Sequence, residues 1–383
     1  MKKIEENNVK NIMISLILLI CFILTIVISA FYTQNMEVRN WIDINIFRKK
    51  VTEEKAKEIP IDSDSYPYIY AYSKYITILY ENKLTTYNED GKNMYSLNIN
   101  ITEPIYSSEG EYLAIAEKGK HQAYLISEKN IIWETEVEGS ISDIYVNKNG
   151  YVVLTIVDTS YKTVLIVYDS NGKELFKRHL ATTSVVDVDI SDDNSYLAIA
   201  QIDTSGILIQ SKLEIISIEK ARKNDSEYVV YTNKSKKGNI IISINYNNKN
   251  YLTCMYDNSI YTIKNNEEEL LIELNAQKDV FASIDLKNYV FRIEEQGVDN
   301  CSKIYIKNVS NKKENCYAVD SVIKEINSCK DIIAINIGTE VYFINTSGYL
   351  IKKYTSNKEI MNIVLAEDVA GIVYRDNIKI IEL

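Results

Sequence analysis

The chain has 383 residues and a net charge of −10, with 30 tyrosines against three prolines, 12 glycines and two tryptophans. Abundant Tyr, Ile and Val with little Pro and Gly indicates strands rather than helices or disorder. Residues 1–11 carry +1 and residues 33–50 carry +2, which leaves −13 for residues 51–383. A groove for the phosphate backbone of a nucleic acid is therefore not expected.

The first predicted element is a transmembrane signal anchor over residues 12–32. These 21 residues carry no charge and consist mainly of Ile, Leu, Val and Phe. At about 1.5 Å per residue they reach about 31 Å, which matches one bilayer crossing. The competing interpretation is a signal peptide cleaved after Ala30, but the apolar run exceeds the roughly 7–15 residues of such peptides.

The charges beside the anchor predict its orientation. Lys2, Lys3 and Lys10 precede it, whereas only Arg39 follows within 15 residues. Positive-inside counting makes residues 1–11 a short cytoplasmic tail and places the large C-terminal domain outside the cytoplasm, at the cell membrane. A longer window, which includes residues 48–50, removes this bias.

Residues 33–60 are predicted to be a juxtamembrane connector. The stretch Trp41–Phe47 fits either an interfacial helix or a short strand, and Trp41 is a suitable aromatic for a membrane interface. The stretch Thr52–Ile59 is predicted to be a brief helix that Thr52 caps and Pro60 ends.

Residues 61–383 are predicted to form an all-β domain built from repeats. Eight short apolar segments recur 37 to 55 residues apart, starting at Tyr75, Tyr112, Tyr151, Tyr196, Tyr251, Tyr289, Asp331 and Val369. A period near 40 made of strands alone is typical of a β-propeller with four-stranded antiparallel blades. We expect eight blades, with seven as the alternative. The last unit has only three visible strands, so a segment around Ile59–Ser63 is expected to close the ring.

One unit illustrates the expected blade. Four strands are predicted at residues 141–147, 151–158, 163–169 and 174–180. Gly172 lies in the last hairpin turn, where a glycine supplies positive φ.

Two segments carry a family resemblance. Residues 190–200 (ISDDNSYLAIA) and, more loosely, 107–116 (SSEGEYLAIA) resemble the S-x-D-G-x-Y-L-A signature of WD40-like propellers. The whole layout resembles a family of membrane-anchored bacterial propellers classed as a domain of unknown function. This resemblance implies the propeller fold over nearly the whole domain and implies no activity.

The sequence offers little material for catalysis. His121 and His179 are predicted on different blades, no G-x-S-x-G sequence occurs, and the cysteines fit no zinc spacing. We therefore expect no catalytic residue, cofactor or metal. Asp187 and Asp189 alternate along an inner strand and are predicted to line the central channel, whereas residues 267–269 (EEE) are interpreted as a solvated turn.

A basic segment stands out in the fourth unit. Residues 219–238 carry +3 within the acidic domain, and their six basic residues are Lys220, Arg222, Lys223, Lys234, Lys236 and Lys237. They are a candidate contact for an anionic wall polymer, lipid headgroups or an acidic partner. A solvated lysine-rich loop is the simpler alternative.

These features favour a noncatalytic binding or scaffold module. The module would be tethered to the membrane and would contact an envelope protein or polymer through its propeller loops. The alternative is a hydrolase or lyase that acts on extracellular glycan or lactone with carboxylates at the central channel.

Overall fold

The computed structural model describes residues 2–62, 66–234, 239–248, 251–273, 283–285, 288–294, 302–308 and 313–383. Helix α1 (Lys2–Gln34) and helix α2 (Met36–Asn45) come first. Within α1, the segment Met13–Gln34 has a mean hydropathy of 3.0, and none of its residues is buried. The helix expected at residues 12–32 is thus present, and its insertion into a membrane stays a prediction.

Two short strands follow the helices. Strand β1 (Lys50–Thr52) and strand β2 (Lys57–Pro60) flank one turn of 3₁₀ helix at Glu53–Lys55. The helix predicted at Thr52–Ile59 is therefore wrong over its second half. The Ile59 side chain is 3% exposed, and its burial in an edge strand outweighs the local helix signals. Pro60 is tolerated because an edge strand has no partner for the missing N–H.

The next sixteen strands form sheets 1 to 4, each made of four consecutive antiparallel strands. Sheet 1 contains β3 (Tyr68–Tyr72), β4 (Tyr75–Tyr80), β5 (Lys83–Tyr87) and β6 (Asn93–Asn98). Sheet 2 contains β7 (Pro104–Glu109), β8 (Tyr112–Glu117), β9 (Gln122–Ser127) and β10 (Asn130–Glu136). Sheet 3 contains β11 (Ser140–Val146), β12 (Val152–Val157), β13 (Thr163–Tyr168) and β14 (Glu174–Leu180). Sheet 4 contains β15 (Thr183–Ile190), β16 (Tyr196–Asp203), β17 (Gln210–Ser217) and β18 (Val229–Lys234), with helix α3 (Ile218–Arg222) before β18.

The remaining strands form sheets 5 to 8. Sheet 5 contains β19 (Ile241–Asn248), β20 (Tyr251–Tyr256), β21 (Ser259–Lys264) and β22 (Glu267–Glu273). Sheet 6 contains β23 (Ser283–Asp285), β24 (Asn288–Glu294), β25 (Ser302–Asn308) and β26 (Glu314–Val319). Sheet 7 contains β27 (Glu325–Cys329), β28 (Ile332–Asn336), β29 (Glu340–Asn345) and β30 (Leu350–Thr355). Sheet 8 contains β31 (Asn362–Leu365), β32 (Val369–Val373) and β33 (Asn377–Glu382).

The N-terminal strands complete the last two sheets. Strand β2 pairs antiparallel with β33, with Ile59 opposite Ile378, and it supplies the fourth strand of sheet 8. Strand β1 pairs in parallel with β30 and becomes a fifth strand of sheet 7, with Val51 opposite Tyr354. The sequence predicts the first of these pairings and not the second.

The first strands of the sheets lie around a common centre. Strand β3 contacts β7, β7 contacts β11, and the series continues through β15 to β19. On the other side β23 contacts β27, β27 contacts β31, and β31 returns to β3. The described strands thus form eight sheets in a ring. The number of blades stays a prediction, because residues 274–282 between sheets 5 and 6 lie outside the described part.

The sheets pack on one another through their middle strands. In sheet 3, every residue of β13 is buried, as is every residue of β12 except Val157. Both faces of these strands are covered by neighbouring sheets, which explains their continuous apolar sequences. The four strands predicted in this unit are confirmed to within one residue at each end.

The antiparallel order gives the ring two faces. In each sheet, the first and third strands end on one side, which we call face A. The second and fourth strands end on the other side, face B. Helix α3 is on face A, because it follows the third strand of sheet 4.

Candidate functional site

A cavity of about 730 Å³ lies at the centre of the ring. First strands of seven sheets contribute to its wall, together with several of the loops that follow them on face A. Its polar lining includes Tyr106, Glu109, Asn245 and Asn327, in addition to both predicted carboxylates, Asp187 and Asp189. The volume lies within the range of small-molecule sites.

Each of the two aspartates is engaged by backbone groups. In Asp187, one carboxylate oxygen accepts the N–H of the following residue at 2.9 Å, and the other accepts the N–H of Ile244 at 2.8 Å. In Asp189, the corresponding contacts are 2.8 Å to the following N–H and 2.5 Å to the N–H of Tyr246. Ile244 and Tyr246 belong to β19, so these side chains connect sheet 4 to sheet 5.

Burial dominates the electrostatics of this pair. It raises the pKa of Asp187 to about 7; the two N–H donors oppose the rise and the charge of Asp143 adds to it. Burial also raises the pKa of Asp189 well above its usual range, and the nearby charges of Glu109 and Asp187 act in the same direction. A raised pKa is a property that acid catalysts share. Here the same carboxylates have a clear structural role as links between sheets.

Lysines at the cavity rim are already paired. Lys330 forms an ion pair with Glu367, and Lys148 approaches Asp192 to 2.8 Å. Both lysines line the cavity. Their charges are therefore balanced by local carboxylates.

The six basic residues of the fourth unit do not form one cluster in the described structure. Lys220 and Arg222 lie on α3 at face A, and Lys223 follows them with an ion pair to Glu219 at 2.6 Å. Lys234 ends β18 at the opposite side of the sheet, about 20 Å away by the length of that strand. Residues 236 and 237, both lysines, lie outside the described residues.

The other polar residues singled out in the sequence have local partners. The Nδ1 atom of His121 lies 2.7 Å from the carbonyl oxygen of Gly139, and the His179 ring contacts the Tyr161 ring at 4.6 Å between centroids, tilted by 50°. Residues 267–269 begin the outer strand β22 rather than a turn, so that prediction is wrong. Across the described residues, no group of three or more His, Cys, Asp or Glu side chains is placed to hold a metal ion.

A surface that the sequence analysis missed lies on face B. It consists of exposed apolar side chains on sheets 3, 4 and 5, and we call it the apolar loop patch: Val157, Tyr161, Ile207, Leu208, Ile209 and Ile242. Ile207 is 103% exposed and Leu208 is 55% exposed. In sequence, residues 207–209 (ILI) look like part of a buried strand, because short runs of aliphatic residues are typical of such strands.

Hydrogen bonds hold the loops of this patch together. The Lys162 ammonium donates to the Thr204 hydroxyl at 2.7 Å and so joins sheet 3 to sheet 4. The backbone N–H of Ile241 donates to the Ser211 hydroxyl at 2.9 Å, which joins sheet 4 to sheet 5 next to Ile242. The apolar side chains are therefore displayed on connected loops.

Solved structures with the same architecture come from several organisms. Sqt1 from Chaetomium thermophilum, bound to the N-terminus of the ribosomal protein L10, has 12% identity and a TM-score of 0.53, over 88% of this chain and 100% of that chain. BamB from Moraxella catarrhalis has 11% identity and a TM-score of 0.51, over 85% and 96%. The WD40 domain of SCAP from fission yeast has 10% identity and a TM-score of 0.50, over 86% and 98%. These likenesses confirm the predicted all-β propeller fold.

Sequence comparison leads to a family without a described activity. No curated protein matches the chain. A family model does match, over residues 47–383, and this range includes every strand from β1 to β33. The chain therefore belongs to the Family of unknown function (DUF5711).

Proposed function

We propose that this protein is a noncatalytic binding or scaffold module, tethered to the membrane by α1, whose propeller binds an envelope protein outside the cytoplasm. The observation that carries the proposal is the apolar loop patch. Soluble surfaces rarely hold contiguous exposed apolar side chains, and where they do, a partner commonly covers them. The tip at residues 207–209 contributes three of the six members.

The position of the patch fits a docking surface. It lies on loops of three neighbouring sheets, and loops on a rigid scaffold are common sites of recognition. The patch also includes an exposed aromatic residue, Tyr161, and tyrosines are enriched in protein interfaces. The propeller of Sqt1 provides a precedent, because its structure holds a segment of another protein.

The enzymatic alternative has weaker support. A hydrolase or lyase needs carboxylates that are available to a substrate, with one acting as acid and one as base or nucleophile. Asp187 and Asp189 instead accept backbone N–H groups with both oxygens. We therefore favour the binding role.

A site-specific crosslinking experiment tests the proposal. A photoreactive amino acid is placed at Leu208 in the full chain, and crosslinks are formed in native membranes and identified by mass spectrometry. The control places the same group at Ile132, which is 43% exposed on the outer strand of sheet 2. We expect one protein to crosslink at Leu208 and not at Ile132.

Variants then separate the candidate surfaces. Ile207→Ser, Leu208→Ser and Ile209→Ser together should abolish capture of that protein, whereas serine at the six basic positions should leave it intact. Loss of capture only in the variant with serine at the six basic positions would contradict the proposal and indicate that the partner binds the basic segment. Capture that survives both changes, or specific turnover by the purified protein, would contradict the proposal.

A further inference from the structure

Helix α2 has one face docked on the propeller. Arg39 and Ile42 are 9% and 8% exposed, and Met36 and Ile44 pack against the cluster formed by sheets 6 and 7. The Arg39 guanidinium lies 4.6 Å from the centre of the Tyr349 ring, which precedes β30. The contacts place α2 at the edge of the ring, between these two sheets.

A buried carboxylate fixes this helix to both of its neighbours. Asp43 is completely buried, and its Oδ1 atom lies 2.9 Å from the Lys49 ammonium. The same oxygen accepts the Tyr32 hydroxyl at 3.0 Å, and Tyr32 belongs to the last turns of α1. The Lys49 ammonium also donates to the carbonyl of Leu350 at 2.6 Å. One residue of α2 is thus linked to α1, and through Lys49 to sheet 7.

The chain leaves α2 without a flexible spacer. The Lys353 N–H donates to the Lys49 carbonyl at 2.8 Å, and β1 starts at the next residue as an added strand of sheet 7. At the other end, only Asn35 separates α1 from α2, and its side chain caps α2 by accepting the Val38 N–H at 3.1 Å. The direction of α2 relative to the ring is therefore set by many contacts.

Three large apolar side chains near the C-terminal end of this segment are uncovered, beside the exposed polar residues Glu37 and Asn45. Trp41, Ile46 and Phe47 are 60%, 58% and 59% exposed. Arg48 and Lys50 follow directly and are exposed as well. Aromatic residues followed by cations are characteristic of a membrane interface, where the rings lie at headgroup level and the cations meet lipid phosphates.

These side chains also lie beside the end of the apolar segment of α1. The Phe47 ring contacts the Tyr32 ring edge to face, at 6.3 Å between centroids. Tyr32 is two residues from Gln34, where that segment ends. If α1 crosses a bilayer, Phe47 and its exposed apolar neighbours therefore lie at the level where headgroups begin.

We propose that α2 is an interfacial helix and that Trp41, together with Ile46 and Phe47 just after its end, binds the headgroup region of the bilayer that α1 crosses. This inference rests on the membrane tether in the proposed function. Its consequence is that the edge of sheets 6 and 7 rests on the membrane. The propeller then has a fixed orientation and does not swing on a loose linker.

Tryptophan fluorescence in vesicles tests this inference. The chain has two tryptophans, and Trp133 is 8% exposed between sheets 2 and 3. The full chain carrying Trp133→Phe is reconstituted into phosphatidylcholine vesicles whose acyl chains are brominated either near the headgroup or near the methyl end. We expect Trp41 to lose most of its fluorescence with the shallow bromines and little with the deep ones. If Trp133→Phe does not fold, the difference between the natural chain and Trp41→Phe gives the same signal.

A second chain reports on α1 alone. It carries Phe22→Trp together with Trp41→Phe and Trp133→Phe, so its only indole lies in the middle of the apolar segment. Quenching of this chain by deep bromines, with none at Trp41, would overturn the interfacial helix and leave the tether standing. No quenching in either chain would overturn both.

Discussion

At the scale of single residues, short polar side chains on the first strands connect several neighbouring sheets. The Ser107 hydroxyl accepts the Val146 N–H at 3.1 Å, and the Asn327 amide donates to the Ile363 carbonyl at 3.0 Å. Asp187 makes the equivalent bond from sheet 4 to sheet 5. The polar residues that face the cavity thus satisfy backbone groups that the blades leave unpaired.

The first prediction concerns the pH dependence of stability at Asp187. Its pKa is about 7 in the folded protein and about 3.9 in an unfolded chain. Between these values the folded state binds a proton that the unfolded state lacks, so the contribution of this group falls as pH rises. Asp187→Asn removes that dependence. The free energy of unfolding of the natural chain should exceed that of the variant by more at pH 5 than at pH 8.

Urea unfolding of both chains in detergent micelles across this range provides the measurement. The comparison between the two chains cancels the titration of groups that lie beyond the influence of the Asp187 charge. A constant difference from pH 5 to pH 8 would mean that Asp187 remains ionised in the folded protein.

The second prediction compares a glycine that only its positive φ requires with one that close packing requires as well. Gly119 and Gly172 both have positive φ, at 73° and 81°. A Cβ on Gly119 would meet nothing within 4 Å, whereas one on Gly172 would lie 2.8 Å from Cγ of Trp133. Gly119→Ala should cost about 1 kcal/mol from the backbone alone. Gly172→Ala should cost clearly more, and it should shift the fluorescence of Trp133. Equal losses in the free energy of unfolding, measured in urea, would show that the Trp133 ring moves aside at no cost.

At the scale of elements, the sequence predicts the repeated units well and the N-terminal segment poorly. The strands of sheet 3 are predictable because their apolar runs end at turn residues such as Gly172. Strand β2 is mistaken for a helix, because the contacts that make it a strand, from Ile59 to Ile378, lie 319 residues away. The exposure of residues 207–209 cannot be predicted from the sequence either, because a short apolar run fits a buried strand as well as an exposed loop.

The third prediction concerns a link between the outer strand of sheet 3 and sheet 4. Glu214 is 2% exposed and accepts hydrogen bonds from Arg178 at 3.1 and 3.2 Å, in addition to pairing with Lys212. Burial raises the pKa of Glu214, but these cations outweigh it and hold the pKa below its usual value. Glu214→Gln leaves both cations partly buried without a countercharge. We expect a loss of about 2 kcal/mol in the free energy of unfolding.

The matched control for this change is an exposed pair. Glu219 and Lys223 are 76% and 69% exposed in their ion pair on face A. Glu219→Gln should have little or no effect, because exposed pairs are screened by water. The loss at Glu214 should also shrink as pH falls below about 4.3, because the carboxylate is protonated first in the unfolded chain and, with its lowered pKa, only at more acidic pH in the folded protein. Similar losses at the two positions would contradict the structural role of the buried pair.

At the scale of the whole molecule, the two ends of the chain depend on each other. Sheet 8 has three strands from the C-terminus and one, β2, from the N-terminus. Ile59 of β2 packs in one cluster with Ile76 of sheet 1 and Val364 of sheet 8. The strand therefore bridges the sheets at which the ring closes, while β1 only adds an edge to sheet 7.

This difference leads to the fourth prediction, which compares two truncated chains. A chain that begins at Glu53 lacks α1, α2 and β1 but keeps β2, and it should fold with reduced stability. A chain that begins at Ile61 also lacks β2. The N–H and C=O groups along the outer edge of β33 then have no strand to pair with, and the cluster around Ile76 is exposed to water. This chain should unfold or aggregate, because an open edge of this kind pairs with other chains.

Near-ultraviolet circular dichroism and size-exclusion chromatography distinguish the two cases. Ile59→Ala in the chain that begins at Glu53 isolates the side-chain part, with an expected loss of about 3 kcal/mol. A monomeric, cooperatively unfolding chain from Ile61 would mean that three strands suffice for sheet 8. The ring would then be closed by contacts between first strands, such as those of β31 with β3, rather than by the strand that the N-terminus contributes.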